Sequence, residues 1–288
     1  MLILRSVIGV AAMTWCAAML PRAEAVAGEE PRIVEVPSGD VRLKAYLWTP
    51  AGRGPFPAVV FNHGRSDTPQ QYNPRRTITA AAQIVGPIFA RHGYVLLFPF
   101  RHGEGLSSAA GPFIGDQLGL EESTNGIEAR RRLQIALLTT SHLDDATAAL
   151  KVVRRLPRVD PNRIAVLGHS FGGNLALLEA ARDPSLRAVV TFGAAAGSWE
   201  SSEALRSLLI AAVGEIAAPV MLVHALNDYS VAPGRALCAE LMRLSKSCLL
   251  KIYPPVGQSG SEGHNFLFAD TGLWEADVFQ FLEQSLRR

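Results

Sequence analysis

Six short, predominantly apolar runs recur along this chain, at 58–62, 94–99, 163–167, 188–192, 220–224 and 249–253, each bounded by turn residues. A strand with one wet face alternates apolar and polar side chains, whereas a continuous apolar run fits a strand covered on both faces. Segments with helical spacing separate the runs: 79–92, 143–156, 174–182, 236–244 and 273–286. Ser141 is placed to cap the second of these and Pro157 to stop it. Strand and helix in alternation predict a mostly parallel sheet with helices on both faces. Two earlier segments, 33–36 and 41–48, do alternate, which suits an antiparallel pair at one edge and brings the expected sheet to eight strands.

In such a sheet, functional groups collect beyond the carboxyl ends of the strands, so the loops beginning at Asn62, Phe100, Gly168, Gly193, Ala225 and Pro254 are the places to look. One of them reads Gly168-His169-Ser170-Phe171-Gly172, directly after a strand and directly before a helix. A bare G-x-S-x-G is weak in a chain with 25 glycines. Its position makes it informative, because a serine on a tight strand-to-helix turn presents its hydroxyl above the sheet at a helix N-terminus. A hydroxyl needs a base to take its proton and a carboxylate to hold that base in the right tautomer. Asp228 follows the 220–224 run, and His264 lies in the glycine-rich loop after the last run. The order is Ser170, Asp228, His264. His224 precedes the acid loop instead of following the last strand, so His264 is the preferred base.

The pieces FNHG at 61–64, GHSFGG at 168–173, ND at 227–228 and GHNF at 263–266 resemble those of the α/β-hydrolases. Within that superfamily the chain is most similar to the dienelactone hydrolase and acyl-peptidase-like branch. The resemblance implies an α/β-hydrolase fold and an oxyanion hole formed by the N–H of Phe171 and that of Arg65. Tyr72 resembles the position where the peptidase branch uses a tyrosine hydroxyl for the same purpose. Arg101 and Glu104 fall in a turn that members use to brace the site. Dienelactone hydrolases proper carry cysteine as the nucleophile, and Ser170 argues for ordinary ester chemistry. The implied activity is a serine hydrolase cleaving carboxylic esters through an acyl-enzyme. A serine peptidase or amidase and an exported binding protein without catalysis are the alternatives.

The stretch 103–141 is the longest between core elements and is placed to form a partial lid. Phe113, Ile114 and Leu118 are candidates for an apolar acyl wall, and Trp199 for a second wall. His63 and His169 flank the site and read as packed, hydrogen-bonded structural histidines. No metal-ligand pattern and no phosphate loop appears among the seven histidines and the glycines, so no metal or cofactor is implied. A formal net charge of +2 with 48% hydrophobic residues describes a packed domain and gives no footprint for nucleic acid. Arg130, Arg131 and Arg132 read as a solvated helix face.

The N-terminus has Arg5, an apolar run of about fourteen residues and small residues at alternating positions, the layout of a secretory signal over 1–27 with cleavage after Ala25 or Ala27. The run is short for a membrane span, which takes about 20 residues, so export to a periplasm or outside the cell without a stable anchor is expected, leaving a single domain over 28–288. Cleavage removes Cys16 and leaves Cys238 and Cys248, either bridged or as two separate thiols.

Overall fold

The computed structural model describes residues 30–65 and 77–287; the expected signal segment lies outside them. Eight strands, β1 (Arg32–Ser38), β2 (Val41–Trp48), β3 (Phe56–Asn62), β4 (Val95–Pro99), β5 (Val159–His169), β6 (Ala188–Phe192), β7 (Val220–Ala225) and β8 (Cys248–Tyr253), form one sheet in the order β1-β2-β4-β3-β5-β6-β7-β8. β2 pairs antiparallel with both neighbours, and every other pairing is parallel. The helices are α1 (Ile78–Arg91), α2 (Ile114–Asn125), α3 (Ile127–Thr139), α4 (Ser141–Val153), α5 (Phe171–Arg182), α6 (Glu203–Glu215), α7 (Ala232–Arg243), α8 (Gly260–His264), α9 (Phe266–Ala269) and α10 (Thr271–Leu286). No helix of the described residues is long and apolar enough to cross a membrane.

Five of the apolar runs are explained by two cores, one on each face; the sixth, β8, is the sheet edge and only half-buried along its length. Ala58, Val60, Val95, Leu97, Ile164, Val166, Val189, Val220 and Leu222 point into one, shared with α4 to α7. Their neighbours Val59, Phe61, Leu96, Phe98, Ala165, Leu167, Val190, Met221 and Val223 point into the other, shared with α1 and α10. Successive strand residues thus enter opposite layers, and both layers are dry. On the second face α1 comes so close that a Cβ on Gly86 would stand 2.3 Å from the Trp48 ring. Only glycine allows that crossing.

Three local expectations are corrected. β5 begins at Val159, because Phe56 pairs with Val159 across an irregularity in the β3–β5 ladder, and the polar residues that follow hide this half of the strand from an apolar pattern. α6 occupies a segment to which the sequence reading assigns no element; Ser202 caps it by accepting from Leu205 N–H. Ser141 is not a cap. α3 runs into α4 with a break at Thr140, so Ser141 is already in the first turn and its buried hydroxyl has no partner.

The segment 103–141 is an ordered excursion of a 3-10 turn (Gly105–Ala110), α2 and α3. It meets the loop after β3 where the Arg65 guanidinium donates to Gln134 Oε1 on α3, 3.3 Å away. A disulfide joins Cys238 of α7 to Cys248, the first residue of β8, with the Cα atoms 5.6 Å apart.

Candidate active site

Ser170 joins β5 to α5 with φ 54° and ψ −119°, a backbone conformation costly for any residue with a Cβ, on the order of 1–3 kcal/mol. The surroundings enforce it. Ser170 N–H donates to Phe192 O of β6 at 2.8 Å. A Cβ on Gly168 would stand 2.0 Å from Gly172 O, and one on Gly172 would stand 2.0 Å from Asn62 O at the end of β3. The turn is therefore squeezed between two strands and its own helix, which leaves the serine at the helix N-terminus, half-buried. Its hydroxyl has no hydrogen-bond partner among the described residues; serine–base contacts often tighten only when substrate arrives.

Asp228 and His264 come from different loops that are tied together before any chemistry is considered. Asn227, beside the acid, donates from Nδ2 to the carbonyls of Val256 and Ser259 and accepts from Val256 N–H, with distances of 2.9, 3.0 and 2.9 Å. Ser259 and Glu262 form a capping box that starts α8, and His264 ends that helix. The result brings His264 Nδ1 to 2.7 Å from Asp228 Oδ1. Asp228 Oδ1 also accepts from Tyr229 N–H at 2.7 Å, while Oδ2 accepts from His224 Nδ1 at 2.9 Å. Burial works to raise the pKa of this carboxyl, but the hydrogen bonds from His224 and His264 outweigh it and bring the value down to about 2. The Asp–His pair lies on the backbone of Gly193, where a Cβ would be 2.9 Å from His264 Nδ1.

His169 precedes the serine and donates from Nε2 to the backbone carbonyl of His264 at 2.9 Å. Burial first, and the neighbouring His264 second, lower its pKa to about 3, so it stays neutral. His63 is also a neutral structural ring. Its Nδ1–H donates to Gly64 O at 2.7 Å and its Nε2 accepts from Arg101 N–H at 3.3 Å. Burial and the Arg101 charge hold its pKa well below the usual range.

Arg101 is 1% exposed, and its guanidinium donates to His63 O at 2.7 Å and Gly64 O at 3.1 Å, lies 3.5 Å from Glu104, and stacks on the Phe171 ring at 5.3 Å. Burial raises the Glu104 pKa and lowers that of Arg101, each opposed by the other's charge. A trans peptide points its C=O and N–H in opposite directions. With Gly64 O turned toward Arg101 and His63, the N–H of Arg65 faces away from them. One buried cation thus holds the carbonyl behind the Arg65 N–H and packs on the Phe171 ring.

Three of the four expected wall residues, Ile114, Leu118 and Trp199, are buried away from any pocket among the described residues. Ile114 and Leu118 are 0% and 2% exposed and belong to the core, Phe113 packs against it, and Trp199 is buried in it. Tyr72 lies outside the described residues. A cavity of about 130 Å³ opens instead beside Arg65, lined by Arg130, Arg131, Gln134, Ser198 and Leu205 among others. Arg130 and Arg131 are paired with Glu122 and Glu128, so this face is both solvated and part of a cavity. Tyr229, absent from the sequence expectations, is 55% exposed with its ring 4.8 Å from that of His264.

His102, His142 and Asp145 bring three potential metal-ligand atoms within 4.8 Å of one another. Their arrangement is that of a brace. Asp145 accepts from Ser38 Oγ at 2.7 Å, from His102 N–H at 2.9 Å and from His102 Nδ1 at 2.7 Å. The two imidazoles stack at 4.4 Å with 12° between their planes, so their in-plane lone pairs run side by side and do not converge on one point.

The model of the dienelactone hydrolase family matches residues 43–267. The chain belongs to that family. A curated relative, the quorum-quenching protein AidA of Acinetobacter baumannii (strain MDR-ZJ06), is 31% identical over 181 residues, 62% of this chain and 49% of that protein. The chain thus spans about half the length of that relative. Among solved structures, acylaminoacyl peptidase of Pyrococcus horikoshii superimposes with a TM-score of 0.64 at 17% identity, covering 91% of this chain and 42% of that one. Dienelactone hydrolase from Anabaena variabilis ATCC 29413 gives 0.57 at 22% identity over 89% and 97% of the two chains. These likenesses show the α/β-hydrolase fold. The family is one of hydrolases, and in this member the elbow residue is Ser170.

Proposed function

We propose that the protein is a serine hydrolase that cleaves carboxylic esters through an acyl-enzyme. The observation that carries the reading is Ser170 held at positive φ on a strand-to-helix turn, with a buried, hydrogen-bonded Asp228–His264 pair on the adjoining loops. In the first step Ser170 Oγ forms a bond to the substrate carbonyl carbon while its proton passes to His264 Nε2. Asp228 holds the opposite face of the imidazole as Nδ1–H and balances the positive charge that the ring acquires. The tetrahedral oxyanion accepts from the N–H groups of Phe171 and Arg65. Its collapse breaks the bond to the alkoxide, which takes the proton from His264, and water repeats the sequence on the acyl-serine. The Cys238–Cys248 bridge supports placing this chemistry in an oxidising compartment, as the expected signal segment does.

A fluorophosphonate probe followed by intact mass tests the reading without a guess at substrate. One adduct on the wild type and none on Ser170→Ala is expected, and an unlabelled, folded wild type defeats the assignment. Rates on p-nitrophenyl acetate and p-nitroacetanilide then separate ester from amide preference, with the ester expected to turn over faster.

A further inference from the structure

We propose that His224 is a positioning residue for the reaction at Ser170: it holds the second oxygen of Asp228 so that the first stays on His264. The inference deepens the triad reading and rests on it. A carboxylate held through one oxygen can still turn about its Cβ–Cγ bond, and held through both it has a single orientation. Oδ1 is taken by His264 and by the N–H of Tyr229, and the only side chain on Oδ2 among the described residues is His224, at 2.9 Å. The Asp228 side chain is fully buried, so no water replaces a lost donor at no cost.

His224 is itself locked. It is 1% exposed, lies in β7 between two paired strands opposite Ile252 of β8, and presses its ring edge on α7, where a Cβ on Gly234 would be 2.8 Å from Nε2 and Cδ2. Two histidines therefore offer the same nitrogen to one carboxylate, but their other sides differ. The ring of His264 stands against exposed Tyr229 and against His169, the residue before the serine, whereas the ring of His224 faces a helix backbone. This division makes one histidine the base and the other its remote support.

The ionisable groups facing Asp228 are His224 from β7, His264 from α8 and, beyond the His264 ring, His169 from β5. Removing His224 leaves the buried carboxylate with Oδ2 unpartnered and free to turn away from His264.

The test compares His224→Leu, which removes the donor, with His224→Asn, whose Nδ2–H occupies the place of Nδ1–H. Turnover of p-nitrophenyl acetate is followed at about pH 8, with thermal unfolding checked for each protein. For His224→Leu, kcat should fall about 10- to 100-fold with KM within about twofold. His224→Asn should recover most of the rate. Equal losses in both variants, or a wild-type rate in His224→Leu, would overturn the role. Should His224→Leu not fold, the Asn variant still decides, because a packing role predicts a loss that a smaller side chain cannot repair. Fluorophosphonate labelling of the wild type at Ser170, run alongside, reports on the triad itself, so failure of that reading is seen separately.

Discussion

Replacing Glu179 by Gln should make the folded protein more stable at pH 8 and leave the difference small near pH 5. Glu179 lies on α5, the helix that Ser170 begins, and is 1% exposed. Its Oε2 accepts from Asn62 Nδ2 at 3.0 Å and its Oε1 has no partner. Burial raises its pKa from 4.5 to about 7, against the hydrogen bond from Asn62. The folded state therefore keeps its proton up to about pH 7, whereas the unfolded chain releases it near 4.5. Between these values the folded state binds more protons, so each rise in pH lowers stability. A shift of about 2.5 units at ~1.4 kcal/mol each gives a loss on the order of 3 kcal/mol, of which roughly 2–3 falls between pH 5 and 8. His63, His142 and His169 act the other way, since their depressed values make stability rise as pH approaches 6.5. The wild-type profile sums all of these, and the difference between wild type and Glu179→Gln isolates the carboxyl, because the amide still accepts from Asn62. Denaturant unfolding at pH 5, 6, 7 and 8 should show the variant gaining about 2–3 kcal/mol on wild type across the series. A flat difference would mean that Glu179 ionises normally, and the argument from burial would be wrong.

Gly172→Ala puts a methyl group 2.0 Å from Asn62 O and 2.4 Å from His63 O, both backbone atoms, and should cost about 1–3 kcal/mol in denaturant unfolding and slow fluorophosphonate labelling; a neutral result would show a looser elbow. Changing both Cys238 and Cys248 to Ser opens a loop with a sequence separation of 10 and should lower stability by about 3 kcal/mol, a fall in Tm of roughly 6–12 °C by calorimetry. Arg101→Met leaves Glu104 buried without its partner and should cost about 3–5 kcal/mol. Adding Glu104→Gln should restore most of the stability but not the labelling rate, because His63 O still lacks its donor and Gly64 O one of its two.

What could be read from the sequence follows from how each feature is coded. The strands buried on both faces carry their signal in every residue, so their positions were legible, and the rule of strand ends then located Ser170, Asp228 and His264. The first half of β5 carries no such signal, since Asp160, Asn162 and Arg163 are polar and Pro161 is a residue that strand interiors seldom hold. Phe113, Ile114 and Leu118 show the limit of composition: an apolar residue in an excursion over the sheet serves a pocket or a core equally well on paper, and here Ile114 and Leu118 face inward. His224 needed geometry, because four residues of separation bring two side chains onto one carboxylate only when the chain turns back directly after β7. Arg65 was named for its backbone, and the cavity at its side chain depends on where α3 returns to the sheet.

Ser170 and His264 are positioned by the same few contacts, which explains why so many buried polar groups gather under this site. Ser170 cannot relax from positive φ unless β5, β6 or the end of β3 moves, since its N–H is held by Phe192 and its helix by Asn62. The residue before it, His169, is bound to the backbone carbonyl of His264. A shift in the elbow is thereby transmitted to the base through one hydrogen bond that takes no part in proton transfer. Burial keeps that imidazole neutral above about pH 3, so the link is independent of pH above that value. A serine in the same turn without this connection would be equally strained but would have no fixed distance to His264.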